Sequence, residues 1–328
     1  MGQRQNAAVA IKPRSLTQIG ELWALMGVLG YASANVFEAA AVKSADPLIG
    51  PLIRGVPTLA LALFLLSTRK TWRQLQPSSA HYVGRRTIVI FIIPGVLATI
   101  GLFTYFYALQ VGGVVITIPV QQTYILWGAL ASWIYLGERF SSKSLMGVSI
   151  LIAGLVVLAL GQMQGTPVSG QWYYAIPLAI FTAITFGVSG VFWRIGQLRG
   201  ADQSTGIFIN VVAAEVVALI GLMGVGRIGS LFETSPSDLG ALFAGGVLSG
   251  IVGLYGLFTS LGLMSVTRAY ALASLTPLTA AILAYVFLKE HINLQMLVGI
   301  VMVTVGVALV QIYKPTEEVK AGRMFSDK

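Results

Sequence analysis

The 328-residue chain contains no cysteine. That excludes disulfides, thiolate metal sites, iron–sulfur clusters and a cysteine nucleophile, and leaves the compartment open. Histidine is almost as scarce: His81 and His291 are the only two, and neither stands at metal-ligand spacing. No Gly-x4-Gly-Lys-Ser/Thr phosphate loop and no His-Glu-x2-His helix occurs. The chain is therefore expected to hydrolyse no ATP of its own, to use no metal and to need no cofactor. Paired catalytic groups at a recognisable spacing are also missing, so an enzyme is not expected. Charge is the third scarcity. Only 10% of residues are charged, against roughly 25% in a soluble domain, while 56% are hydrophobic and the mean hydropathy is +0.81. Such a chain needs lipid around it rather than water. The longest polar stretch between apolar runs, Thr68 to Arg86, is too short for a second domain.

The formal net charge of +9 would suit nucleic acid or acidic lipid. The basic residues, however, lie between apolar runs and not along one face or in one tail. They read as topology determinants, and no nucleic-acid partner is expected. The first 19 residues carry Arg4, Lys12 and Arg14 without an apolar core, so they are not expected to be a cleaved signal.

A membrane-crossing helix needs about 20 mostly apolar residues. Ten such runs occur, near 20–42, 46–67, 87–110, 113–136, 144–161, 172–195, 203–225, 238–263, 266–288 and 293–313. Two of the connections are very short, Val111-Gly112-Gly113 and Met264-Ser265. With the N-terminus on the cytoplasmic side, only Lys43, Arg227 and Lys289 of the 21 Lys and Arg fall outside, and Arg54 falls within a span. The positive-inside rule then places both termini in the cytoplasm of a multi-pass inner-membrane protein.

An internal repeat organises these spans. At a shift of 152 residues, Tyr135-Leu136-Gly137-Glu138-Arg139 falls on Phe287-Leu288-Lys289-Glu290-His291, and Gly147 and Gly154 fall on Gly299 and Gly306. Gly101-Leu102-Phe103 falls on Gly253-Leu254-Tyr255 without a gap. At a shift of 155, Tyr31 and Val36-Phe37 fall on Phe186 and Val191-Phe192. The expected organisation is a tail over 1–19, a first five-helix repeat over 20–162, a connection over 163–171, a second repeat over 172–313 and a tail over 314–328. Five helices per half is an odd number, so the halves have opposite orientation, with Glu138 at the cytoplasmic face and Glu290 at the other. Inverted repeats place a binding site near the midplane and alternate its access by rocking one half on the other. A channel or sensor scaffold is the alternative use of such a duplication.

At these residues the chain resembles the drug/metabolite transporter superfamily, and within it the ten-helix EamA-type permeases. Leu136-Gly137-Glu138-Arg139 and Leu288-Lys289-Glu290, each followed by a Gly-x6-Gly helix, carry the resemblance, with Ala273-Ser274-Leu275-Thr276-Pro277-Leu278. The family pattern has a proline where Ile125 stands. This chain has Pro119 instead, which bears on the local bend of helix 4 and not on the fold. The resemblance implies an all-α polytopic bundle around a central cavity between helices 1, 3, 4, 6, 8 and 9, and export of a small molecule such as an amino acid or amphipathic metabolite. It leaves the substrate, the coupling ion and the choice of monomer or dimer open. A multidrug–proton antiporter is the rival within transport, and a scaffold without flux the rival outside it.

An ionisable group within a span costs about 2.5–3.5 kcal/mol on insertion scales, and three stand out. They are Glu38, Arg54 and Glu215, and they are the candidates for coupling to protons. The alternative for Glu38 is the outer interface, and for Arg54 a snorkelling position or a pairing with Glu38 or a backbone carbonyl. Candidates to line the cavity, on helices that the resemblance puts around it, are Tyr31 and Asn35, Phe103 and Tyr107, Gln121, Gln122 and Tyr124, Phe186 and Ser189, Tyr255 and Thr259, and Ser274 and Thr276. Interfacial anchoring, packing and inter-helix hydrogen bonds are the plainer uses of the same residue types. The glycine pairs 147/154 and 299/306 and the Gly246-x3-Gly250 site read as close-contact positions. Pro277 is the hinge candidate of helix 9.

Overall fold

The computed structural model describes residues 14–136, 141–164, 169–263 and 266–313. Residues 1–13 and 314–328, the motif residues Gly137, Glu138 and Arg139, and the Met264-Ser265 junction lie outside the described residues. Within them the chain forms helices and turns, without a strand. The helices are α1 (Arg14–Ala41), α2 (Gly50–Thr68), α3 (Arg85–Gln121), α4 (Tyr124–Leu136), α5 (Ser142–Met163), α6 (Ala175–Leu198) and α7 (Gln203–Gly224). A short α8 (Ser230–Glu233) precedes α9 (Pro236–Gly246), which runs through a π-helical stretch, Val247–Gly253, into α10 (Leu254–Leu263). Then come α11 (Val266–Ala273), α12 (Thr276–Leu283) with a π-helical end at Ala284–Leu288, and α13 (Leu294–Ile312). Side-chain caps begin several of them: Ser141 accepts from the Ser144 amide, Asp202 from Ser204, Ser235 from Asp238 and Asn293 from Met296. Each removes one of the orphan donors at a helix start.

Among the described residues, nine helical runs are long and apolar enough to cross a membrane, and Tyr124–Tyr135 is a shorter tenth. One of the nine, α3, is two helices. Gly113 sits at φ 68° and ψ −174°, outside helical space. The Thr117 hydroxyl donates to the Ala108 carbonyl at 2.9 Å. In a straight helix, residues nine apart would lie about 13.5 Å apart along the axis. The chain therefore folds back at Gly113, and α3 is an arm over 85–112 followed by an arm over 114–121 that leads into α4. Among the described residues the bundle thus makes ten crossings, called helix 1 to helix 10 in chain order, with the third and fourth joined where the Gly112-Gly113 pair predicts.

Contacts between connections sort into two ends. At one end Asp46 faces Arg227, Ser169 donates to the Val111 carbonyl, Asn293 to that of Gly161, and Glu290 receives the amides of Val114 and Val115. At the other end Arg69 faces Asp202, Thr71 meets Ser204, and Ser141 and Ser144 both donate to the Tyr313 carbonyl. Every pairing joins connections that an alternating ten-span path assigns to the same side.

The inverted repeat is visible in how the halves touch. A Cβ added to Gly30 on α1 would meet Gly253 in the π-helical stretch of helix 8, and Gly101 on α3 faces Thr185 on α6. These are the same contact in the two halves, since 30 and 185 differ by 155 and 253 and 101 by 152. The α5–α13 pair lies on the pseudo-axis and is its own equivalent. A Cβ at Gly147 would lie 2.9 Å from the Gly306 carbonyl, and one at Gly299 would lie 2.8 Å from the Gly154 carbonyl. Both glycine pairs read as close-contact positions thus meet each other, and Gly246 and Gly250 meet the Arg54 carbonyl and Thr58 on α2.

Helices 4 and 9 are both interrupted, at Gln122-Thr123 and at Ser274-Leu275. The two breaks are also 152 residues apart. Pro277 stands in the first turn of α12, where a proline starts a helix without losing a bond. In the first half the proline is three residues before the break, yet the chain breaks at the equivalent place. The bend therefore belongs to the repeat fold and not to the proline.

Lipid offers no hydrophobic drive between helices, so close packing has to hold them. Gly299→Leu is expected to destabilise the protein by about 2 kcal/mol or more, because backbone atoms of Leu158 and Gly154 stand where the side chain would go. Gly190→Ala, where an added Cβ meets open space, should leave stability unchanged. Thermal unfolding in detergent micelles compares the two.

Candidate functional site

A buried charge site sits between α1, α2 and α3. Glu38, on the last turn but one of α1, is fully buried. Arg54 on α2 places its Nε 3.2 Å from Glu38 Oε1 and its Nη1 3.3 Å from Oε2. Tyr105 on α3, 1% exposed, brings its hydroxyl to 3.0 Å from Glu38 Oε2 and 2.7 Å from Asn35 Oδ1. That hydroxyl has one proton, so it serves one of the two acceptors at a time. The Arg54 guanidinium carbon also lies 5.7 Å from the centre of the Tyr105 ring. Gly245 on α9 leaves the space that the Glu38 side chain fills. The opposite charges cancel, and each is hydrogen-bonded, which makes two ions tolerable where water is excluded.

The structure brings Asn35, Glu38 and Arg54 together, and the pairing of Arg54 with Glu38 is one of the arrangements the sequence allows. Tyr31 packs its ring on Gly253, beside this group on α1. Glu215 on α7 stands apart. Its carboxylate lies over Gly55 of α2 and makes no hydrogen bond or ion pair among the described residues.

The remaining candidates are spread more widely. Gln121, Gln122 and Tyr124 cluster at the break of helix 4. At the break of helix 9, Ser274 and Thr276 are buried, with their hydroxyls donating to the carbonyls of Ala271 and Ala273. Those hydroxyls satisfy acceptors that the break sets free. Tyr255 is exposed and stacks edge-on against Trp23 at 5.7 Å, with Thr259 one turn further along α10. Phe186 packs near Gly101, and the Ser189 hydroxyl donates to the Thr185 carbonyl within its own helix.

Phe103 and Tyr107 do share a face, but it looks toward α7 and the end of the bundle. The Phe103 ring lies on Gly221 of α7. Tyr107 lines an open pocket of about 630 Å³ with Ser44, Asp46, Gln110, Arg227 and Asp238. The sequence misses Tyr105, which lies between these two on the opposite side of the same helix. Its only signal is a hydroxyl in an apolar run, and no periodicity says which side of an all-apolar helix meets a charge.

These features define a multi-pass helical membrane protein of two inverted repeats with paired charges buried inside it. The sequence model of the EamA-like transporter family matches residues 18–160 and again 173–312. The chain belongs to that family, within the drug/metabolite transporter superfamily, and is a membrane transporter of EamA type. A curated relative described as an "Uncharacterized transporter in cobO 3'region" from Sinorhizobium sp. is 25% identical over 144 residues, 44% of this chain and 99% of the relative. A solved structure titled "Crystal structure of protein" superposes with a TM-score of 0.60 over 90% of this chain and 98% of its own, at 17% identity, and so shares the fold.

Removing one member of a buried ion pair leaves the other uncompensated. Glu38→Gln and Arg54→Gln are each expected to destabilise the protein by about 3 kcal/mol or more. The double variant should lose clearly less than their sum. A thermal-unfolding double-mutant cycle measures this, and additive losses would show that the two charges do not support one another.

Proposed function

We propose that the protein is a secondary transporter that exports a small metabolite, an amino acid or an amphipathic compound, across the inner membrane by alternating access. Both termini face the cytoplasm, the substrate leaves chemically unchanged, and the two repeats 20–162 and 172–313 are the units that rock. The observation that carries this reading is the symmetric packing of the halves. Helix 1 of each half lies on helix 3 of the other through equivalent residues, so exchanging the roles of the halves describes a second packing for the same chain. Such bistability is what alternating access requires.

The orientation is supported by the Lys and Arg balance, now joined to two ends that contacts define independently. Arg227 and the Asp46 turn lie at the end assigned outside, and Arg69 and Asp202 at the end assigned inside. The interrupted helices 4 and 9 bring helix ends, Gln122 and buried Ser274 to the middle of the bundle, the usual place for a substrate among inverted repeats. Proton coupling is supported by Glu215, an acid at the middle of α7 without a partner among the described residues, while Glu38 is paired with Arg54. This favours Glu215 over Glu38 as the group that exchanges a proton during the cycle.

Proteoliposomes containing the purified protein should show saturable flux of one class from a panel of radiolabelled amino acids and amphipathic amines. An imposed pH gradient should raise the flux about tenfold, a driving-force difference of ~1.4 kcal/mol. Glu215→Gln should lose that stimulation while keeping downhill exchange. Flux indifferent to the gradient would indicate facilitated export, and no flux for any class would favour a scaffold role.

A further inference from the structure

Glu290 belongs to the repeated motif and lies apart from the charge site. Its carboxylate, 6% exposed, receives the Val114 amide on Oε1 and the Val115 amide on Oε2, both at 2.9 Å. Those amides are the first two of the arm over 114–121, and a helix start has no internal acceptors for them. The positive end of that arm's dipole favours the anion as well. The corner is shaped for it. A Cβ on Gly113 would stand 2.7 Å from each carboxylate oxygen, and φ 68° already disfavours any other residue there.

The acid is presented just as deliberately. The π-helical end of helix 9, Ala284–Leu288, is followed by Lys289 at φ 58°, and the Glu290 amide returns to the Ala284 carbonyl at 3.3 Å. Asn293 then caps α13 and donates to the Gly161 carbonyl. Glu290 thus reaches from the second repeat, 176 residues along the chain, to the start of the first repeat's interrupted helix.

We propose that Glu290 is a latch between the repeats: its carboxylate clasps the start of helix 4 to hold this end of the bundle shut, and opening of this end requires the clasp to release. The inference rests on the alternating-access reading. The clasp joins the two units that must separate here. It grips the short arm that lies between the Gly113 corner and the Gln122-Thr123 break, so releasing it frees a segment with a joint at either side. A glutamine in place of Glu290 has one oxygen for two amide donors and no charge for the helix dipole.

The absence of native cysteine allows a single reporter, Thr123→Cys at the break of helix 4. Its labelling by a membrane-impermeant maleimide is followed from each side of vesicles, with no substrate present, so that a failure to find flux leaves this test intact. Glu290→Gln should shift the ratio of labelling rates about tenfold, ~1.4 kcal/mol, toward the end that carries Glu290, with the rate from the opposite end falling. An unchanged ratio, or both rates rising together, would make Glu290 a fixed structural cap and overturn the proposal. If the variant does not insert, hydrogen exchange in the wild type decides. The Val114 and Val115 amides should exchange at least about tenfold faster than those of Ile116 and Ile118, through clasp opening below global unfolding. Exchange of all four in step would rule out a latch.

Discussion

In hydrocarbon, an unpaired backbone N–H or C=O has no water to turn to, and the whole structure follows from that constraint. It makes every crossing a helix. It also turns each interruption of a helix into a liability that a particular side chain must answer. The fold-back at Gly113 exposes two amides, and Glu290 takes both. The breaks of helices 4 and 9 expose carbonyls, and the hydroxyls of Thr123, Ser274 and Thr276 donate to them. The residues that stand out in an apolar sequence are thus largely those that make its irregular places possible.

The same lack of water governs the charges. Glu38 and Arg54 are tolerated because they sit against one another, with Tyr105 closing the group. Packing has to serve it too: Gly245 leaves room for the Glu38 side chain, and Gly246 lets α9 approach the Arg54 backbone. Glu215 has no such partner among the described residues; its carboxylate lies over Gly55. Membership of the EamA-like family gives the setting for both without fixing the substrate.

Much of the architecture is legible in the sequence because the lipid imposes a simple code. A crossing needs a run of apolar residues, and a short pair of glycines between two runs marks a turn; Gly112-Gly113 is the example. The repeat is legible because glycine pairs and the Leu-x-Glu motif recur at one spacing. The cavity candidates are harder. Phe103 and Tyr107 are a helical turn apart and do share a face, but in a helix apolar on all sides nothing marks which neighbour that face meets. It meets α7, while Tyr105, two residues from each, meets the buried charges.

By itself, then, the sequence determined the number and order of the crossings, their alternation, the duplication and the positions of the glycine contacts, since each depends only on local composition or on spacing along one chain. Tertiary structure alone decided which charge finds a partner, which aromatic joins it, and that the second repeat's Glu290 closes on the first repeat's helix start. Those outcomes depend on which faces of uniformly apolar helices come together. That is settled by packing among all ten crossings at once, and no single stretch of sequence records it.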